Sequence, residues 1–192
     1  TNEAGATVNV YNGVTLLGAA TVTGTTWSYN ATVANGTTYQ FNAKATDAAG
    51  NTSAATANFT VIGDTTPPAV ALTAATDNVG LVTGALVSGD TTDDTLLALS
   101  GTNEAGATVN VYNGATLLGA ATVTGTTWTY NATVADGVTY QFNAKATDAA
   151  GNTSAATANF TVIGDTTESN GSGIATVGGV ITIDPVKLEA NV

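Results

Sequence analysis

The side chains able to do chemistry in this chain are carboxylates. Asp and Glu number 14 against 3 Lys+Arg, and His, Cys and Met are absent. No Arg occurs either, so the usual catalytic bases, thiolates, soft-metal ligands and phosphate binders are missing together. The segment 67–167 holds eight acids: Asp77, Asp90, Asp93, Asp94, Glu104, Asp136, Asp148 and Asp165. All fall in Gly- and Asn-rich stretches that read as loops. Hard oxygen ligands spread over several loops suit Ca²⁺, which takes about six to eight oxygens. Asp148-Ala149-Ala150-Gly151-Asn152 lacks the spacing of an EF-hand loop, so any such site is assembled from separate loops. The competing reading is that Asp and Asn sit in turns because they hydrogen-bond their own backbone. Asp93-Asp94 also raises a hydrolytic carboxylate pair, but neighbouring residues of an extended chain point apart. No substrate cleft is foreshadowed, and the expectation is a protein that is not an enzyme.

The elements that must position these acids come twice. Residues 1–66 recur at 102–167, differing only at Val14/Ala115, Ser28/Thr129, Asn35/Asp136 and Thr37/Val138. A period of 101 residues is too long for a helical solenoid unit and matches one β-sandwich. Apolar residues alternate with polar ones and show no helical rhythm. In 139–146, Tyr140, Phe142, Ala144 and Ala146 are expected to point inward, with Gln141, Asn143, Lys145 and Thr147 outward. Trp128, Phe160, Val109 and Val111 complete the expected core. Tyr140 stands three residues after Gly137, where a tyrosine corner belongs. Expected strands are 70–73, 95–100, 108–112, 117–122, 127–133, 139–146 and 156–163, with a minor one at 81–87. Asn113-Gly114 and Asp136-Gly137 supply turns.

The fold class is therefore all-β: tandem immunoglobulin-like Greek-key β-sandwiches. Residues 67–167 make a complete repeat, entered through the extended linker Thr65-Thr66-Pro67-Pro68. Residues 1–66 make a repeat lacking its first two strands, and 168–192 a divergent tail with one strand at Val180–Ile183. In that topology Glu104 and Asp148 converge on the linker carrying Asp64, and Asp165 repeats Asp64 one period on. Glu3 and Asp47 repeat Glu104 and Asp148 in the first copy. Asp77, Asp93, Asp94 and Asp136 are expected at the opposite end. Asn103 and Asn152 stand ready to add amide oxygens.

Several strings resemble the bacterial Ig-like repeats of giant type I-secreted adhesins and biofilm-associated surface proteins. They are Glu104-Ala105-Gly106-Ala107-Thr108-Val109, Tyr112-Asn113-Gly114, Ala146–Ser154, Thr76-Asp77-Asn78-Val79-Gly80 and Asp64-Thr65-Thr66-Pro67. The likeness covers 1–167. It implies an extracellular stalk on the bacterial cell surface, stiffened by Ca²⁺ between neighbouring repeats and serving cell adhesion and biofilm formation. The partners implied are neighbouring repeats of the same chain and like chains on other cells. A net charge of −11 argues against nucleic acid and anionic membranes, and no apolar run is long enough to span a bilayer. The alternative function is a repeat that itself binds a glycan or a like repeat, or that joins a fibre by strand donation. For glycan binding, Tyr11 and Tyr112 are the candidate exposed aromatics.

Overall fold

The computed structural model describes residues 1–80, 83–167, 175–177 and 180–182, and every element among them is a β-strand. The chain divides into two compact units: Thr1–Ala69 with Ala146–Ser154, and Val70–Lys145 with Ala155–Val192. Among the described residues no helix is long and apolar enough to cross a membrane.

The first unit carries β1 (Thr7–Asn12), β2 (Thr15–Ala19), β3 (Thr21–Thr23), β4 (Thr26–Ser28), β5 (Thr38–Thr46) and β6 (Phe59–Ile62). Four of them form a sheet in the order β2-β1-β5-β6, and β3 and β4 form a separate hairpin. Val8 and Val10 of β1 and Ala43 of β5 are buried, on the alternation that a pleated strand imposes.

The second unit carries β7 (Val70–Asp77), β8 (Gly84–Ala85), β9 (Thr91–Thr92), β10 (Leu96–Asn103), β11 (Thr108–Asn113), β12 (Thr116–Ala120), β13 (Thr122–Thr124), β14 (Thr127–Thr133), β15 (Thr139–Thr147) and β16 (Phe160–Gly164). They make two five-stranded sheets, β13-β14-β10-β7-β8 and β12-β11-β15-β16-β9. Leu97, Leu99, Trp128 and Ala132 of the first sheet are buried, as are Val109, Val111, Phe142, Ala144 and Val162 of the second. This is the all-β sandwich expected from the alternation. β9 pairs with β16 in parallel, Thr91 opposite Ile163, which short-range patterning did not foreshadow. The expected strand at 156–163 is shorter and begins at Phe160, while the expected strand at 81–87 is described only at Gly84–Ala85. In the tail, β17 (Ala175–Val177) pairs with β18 (Val180–Thr182), and Ile183 lies outside the described residues.

Two side-chain expectations are corrected. Asn143 is buried rather than outward, because its Nδ2 donates to Gly114 O at 2.9 Å and Asn159 Oδ1 at 3.0 Å. Tyr140 and Phe160 are half-buried rather than core. The Tyr140 hydroxyl is drawn to the rim, where it accepts from Ala135 N at 3.0 Å, the expected corner. Gly101 explains how Trp128 fits. A Cβ at Gly101 would lie 2.6 Å from the indole and 1.9 Å from Ala71 O. The strand carries a glycine, and a register shift between Ser100 and Gly101, where another group crosses its backbone.

Candidate functional site

The most buried acids lie where β7 ends. Asp77, its last residue, is 5% exposed and Asp94 2%. Thr92 holds them together: its hydroxyl donates to Asp77 Oδ2 at 2.9 Å and accepts from Asp94 N at 3.2 Å. The turn after β7 then donates two successive amides, Asn78 N to Asp94 Oδ2 at 2.9 Å and Val79 N to Asp77 Oδ1 at 3.1 Å. A carboxylate out of water needs such donors. Here they are amides and a hydroxyl, in a chain whose cationic side chains are Lys44, Lys145 and Lys187. Asp93 is exposed and lies over Gly80, which has φ +75, and a Cβ there would stand 2.0 Å from its Oδ2.

Asp136, the remaining acid expected at this end, and the acids Asp165 and Asp90 each engage backbone groups. Asp136 Oδ1 accepts Thr166 N at 2.9 Å and Thr167 N at 3.2 Å, fastening the segment that leaves β16. Asn35 does the same for Thr65 N at 2.9 Å in the first unit. Asp165 contributes its amide to Thr92 O at 2.8 Å. Asp90 Oδ2 accepts Val87 N at 2.8 Å.

Asp47, Asp64 and Asp148 belong to the first unit. Asp148 closes its own turn, accepting Asn152 N on Oδ1 and Asn152 Nδ2 on Oδ2, both at 2.9 Å. Asp47 accepts Asn51 N and Asn51 Nδ2, both at 2.8 Å, and Ala49 N at 2.9 Å. The Asn152 side-chain amide, helped by backbone amides, holds the Asp148 carboxyl below the ordinary aspartate value, and Asn51 acts likewise on Asp47. Asn152 Nδ2 also donates to Asp64 O at 3.2 Å. In the second unit Glu104 gives its carbonyl to Asn103 Nδ2 at 2.7 Å and Ala107 N at 3.1 Å. Glu3 repeats this with Asn2 Nδ2 at 2.7 Å and Ala6 N at 3.2 Å. Asn103 is buried, and its Oδ1 has no hydrogen-bond partner among the described residues.

Among the described residues no three Asp or Glu side chains gather closely enough to form a metal cluster. The pair Asp77 and Asp94 is the part of the donor set that fits a hard cation best, being buried and served by neutral donors. The part sequence reasoning missed is Thr92, whose signal was its place two residues before Asp94 in Thr91-Thr92-Asp93-Asp94. The candidate glycan-binding aromatics are half-buried, with Lys44 Nζ 5.2 Å above the Tyr11 ring and Lys145 Nζ 5.2 Å above Tyr112.

Three likenesses bear on these repeats. Residues 64–166 match the family described as bacterial Ig-like domain. Over 149 residues, 77% of the chain, the sequence is 42% identical to Chitinase A1 of Niallia circulans, of which it spans 20%. Among solved structures, the fibronectin(III)-like modules of CbhA from Clostridium thermocellum superpose with a TM-score of 0.54. That match covers 86% of this chain and 80% of the other, and at 18% identity it speaks to the fold alone.

Proposed function

The chain belongs to the bacterial Ig-like domain family, and from that premise we propose that its repeats are non-catalytic extender modules of a bacterial surface adhesin. They hold a binding domain away from the cell, in an extracellular protein serving adhesion and biofilm formation. One observation carries this reading most directly: the acids in the repeat serve their own turns and strand ends. Asp47 and Asp148 cap local backbone, Asp136 fastens the segment that leaves β16, and Asp77 and Asp94 are tied to Thr92 and the amides after β7. Near-identity of the two copies supports it too, since length and stiffness gain from repetition whereas a recognition site does not require it.

Ca²⁺ belongs to this proposal as a stiffener. Asp77 and Asp94 are the residues that would hold it in the second unit, and the ion would supply positive charge where their described donors are neutral. Asp148 accepts from Asn152 on both oxygens, and Asp77 accepts from Val79 N and the Thr92 hydroxyl, so an ion at either would replace or share those donors. Neighbouring repeats of the same chain are the partners proposed.

A second reading rests on the 42% identity to a stretch of Chitinase A1. On that reading the repeats are spacers inside a larger secreted enzyme. Binding of residues 1–192 to chitin, to bacterial cells and to itself tests the shared core of both. Neither reading expects saturable binding by the repeats alone. Saturable binding to any of the three would make the repeat itself a recognition module and overturn the extender reading. Changing the repeat number in the parent protein then separates the two. An adhesin should change its rupture distance with unchanged affinity, and a spacer in an enzyme should leave adhesion unaffected.

A further inference from the structure

β9 is two residues long, yet it decides how the last strand of the second unit is held. In the order β12-β11-β15-β16-β9, it covers the flank that β16 would otherwise present as an edge. Four hydrogen bonds join the two segments. Thr161 N donates to Ser88 Oγ at 2.9 Å, and Gly89 N to Thr161 O at 2.8 Å. Ile163 N donates to Asp90 O at 2.9 Å, and Asp165 N to Thr92 O at 2.8 Å. The amide between these last two, Gly164 N, turns the other way and donates to Val138 O at 2.9 Å. β16 therefore spends alternate amides on the ladders to either side of it.

The direction of this pairing matters more than its length. Tension along a chain draws the earlier of two paired strands toward its N-terminal end and the later toward its C-terminal end. β7 and β10 are antiparallel with Val70 opposite Asn103, so the two pulled ends lie side by side and the ladder opens one pair at a time. The same holds for β15 and β16, where Thr139 stands opposite Ile163. β9 and β16 run parallel, Thr91 opposite Ile163 and Thr92 opposite Gly164. Their pulled ends lie at opposite ends of the ladder, and its bonds must yield together. β9 is itself fastened from behind. Thr92 is 2% exposed, and its hydroxyl donates to Asp77 Oδ2 at the end of β7 and accepts from Asp94 N. The buried carboxylates thus secure the strand that secures β16.

We infer that the parallel pairing of β9 with β16 is a force-bearing lock, the device that keeps the second unit folded while the chain is pulled from both ends. Without β9, the last strand would peel from β15 pair by pair. With it, the same pull shears a second ladder whose bonds share the load. The inference rests on the extender reading for the source of the tension, but its measurement involves no ligand. Saturable binding by the repeats would remove that reading and leave the lock standing, whereas a missing lock would leave the reading to its binding tests.

The test is single-molecule pulling of the full 192-residue chain, held at its two ends under constant load. Unfolding of 70–164 is recognised by a lengthening of roughly 30 nm, and it should come in one step. Ile163→Pro removes the donor to Asp90 O and leaves Gly164 N to its partner Val138 O. Ser88→Ala removes the acceptor of Thr161 N by a milder change. Each should raise the unfolding rate under load by about fivefold or more, the weight of one hydrogen bond. Asn113→Ala is the control, since it strips the acceptor that Gln141 N reaches at 2.8 Å outside the lock. It should cost similar stability in a urea titration and barely change the rate under load. Should Ile163→Pro fail to fold, Ser88→Ala decides alone. The inference is overturned if Ser88→Ala speeds unfolding under load no more than Asn113→Ala does. A wild-type unit that unravels in a series of short steps overturns it as well.

Discussion

Replacing Gly101 with Ala puts the packing argument for the second unit at risk in a single methyl group. The added Cβ would stand 1.9 Å from Ala71 O and 2.6 Å from Trp128 Cε2 and Cζ2, where ordinary contact begins at 3.4 Å. Neither neighbour yields freely. Ala71 O belongs to the β7 ladder, and the indole is 1% exposed among packed side chains. Overpacking of this kind costs about 1–3 kcal/mol. Moving the indole also breaks the hydrogen bond that Trp128 Nε1 shares between Ala71 O, at 3.1 Å, and Thr102 O, at 3.2 Å. That adds about 1 kcal/mol. The total of about 2–4 kcal/mol corresponds to a fall of roughly 10–20 °C in the melting temperature of a unit this size. Gly106→Ala is the matched control. Gly106 has φ +83 and nothing within 4 Å of a Cβ, so only backbone strain of about 1–2 kcal/mol opposes the change. Thermal unfolding followed by tryptophan emission, with Trp27→Phe in both backgrounds, isolates the second unit. If Gly101→Ala costs no more than Gly106→Ala, close approach of the indole does not explain the glycine.

Three further outcomes are expected. Because the folded-state carboxyls of Asp148 and Asp47 titrate below their unfolded value, they contribute stability above the unfolded value, and it is lost as pH falls through the folded one. Asp148→Ala should therefore flatten the acid side of a melting-temperature profile, and a carboxyl titration of Asp148 by NMR at or above the ordinary value would contradict the turn geometry. Tyr140→Phe removes the acceptor of Ala135 N and should cost about 1 kcal/mol in a urea titration, with m unchanged. Tyr39→Phe should do the same to the first unit, where Ala34 N donates to that hydroxyl at 2.9 Å. Ca²⁺ at a hundred times its dissociation constant should stabilise the wild type by about 2.7 kcal/mol, and Asp77→Asn with Asp94→Asn should abolish the gain. Equal melting in Ca²⁺ and in chelator would remove Ca²⁺ from the proposed function.

The sequence by itself determined the local structure. Alternation marked Thr127–Thr133 and 139–146 as strands, and β14 and β15 occupy those places. The spacing of Tyr140 from Gly137 foretold its bond to Ala135, and the apolar type and size of Trp128 foretold its burial. These features depend on the pleat and on neighbours a few residues away, so a short window contains their cause. The grouping of acids did not. Asp77 meets Asp94 through Thr92, and Asp136 takes the amide of Thr166, because a loop's carboxylate goes to whichever amides the sheets bring within reach. Asn143 likewise followed the alternation to the outer face and was buried there by Gly114 and Asn159.

The two copies separate the causes most directly. The stretches 26–32 and 127–133, with Trp27 and Trp128 in them, are the same apart from Ser28 in one and Thr129 in the other. One stretch is a short hairpin strand with a half-exposed indole; the other is a full strand over a buried one. Two stretches that differ by one methyl group do not encode that difference locally. It comes from β10, more than twenty residues away in sequence, whose amides pair the strand and whose Leu97 and Leu99 displace water from the ring. A strand's propensity to extend belongs to its own side chains, while its length and burial belong to the partner that lies against it.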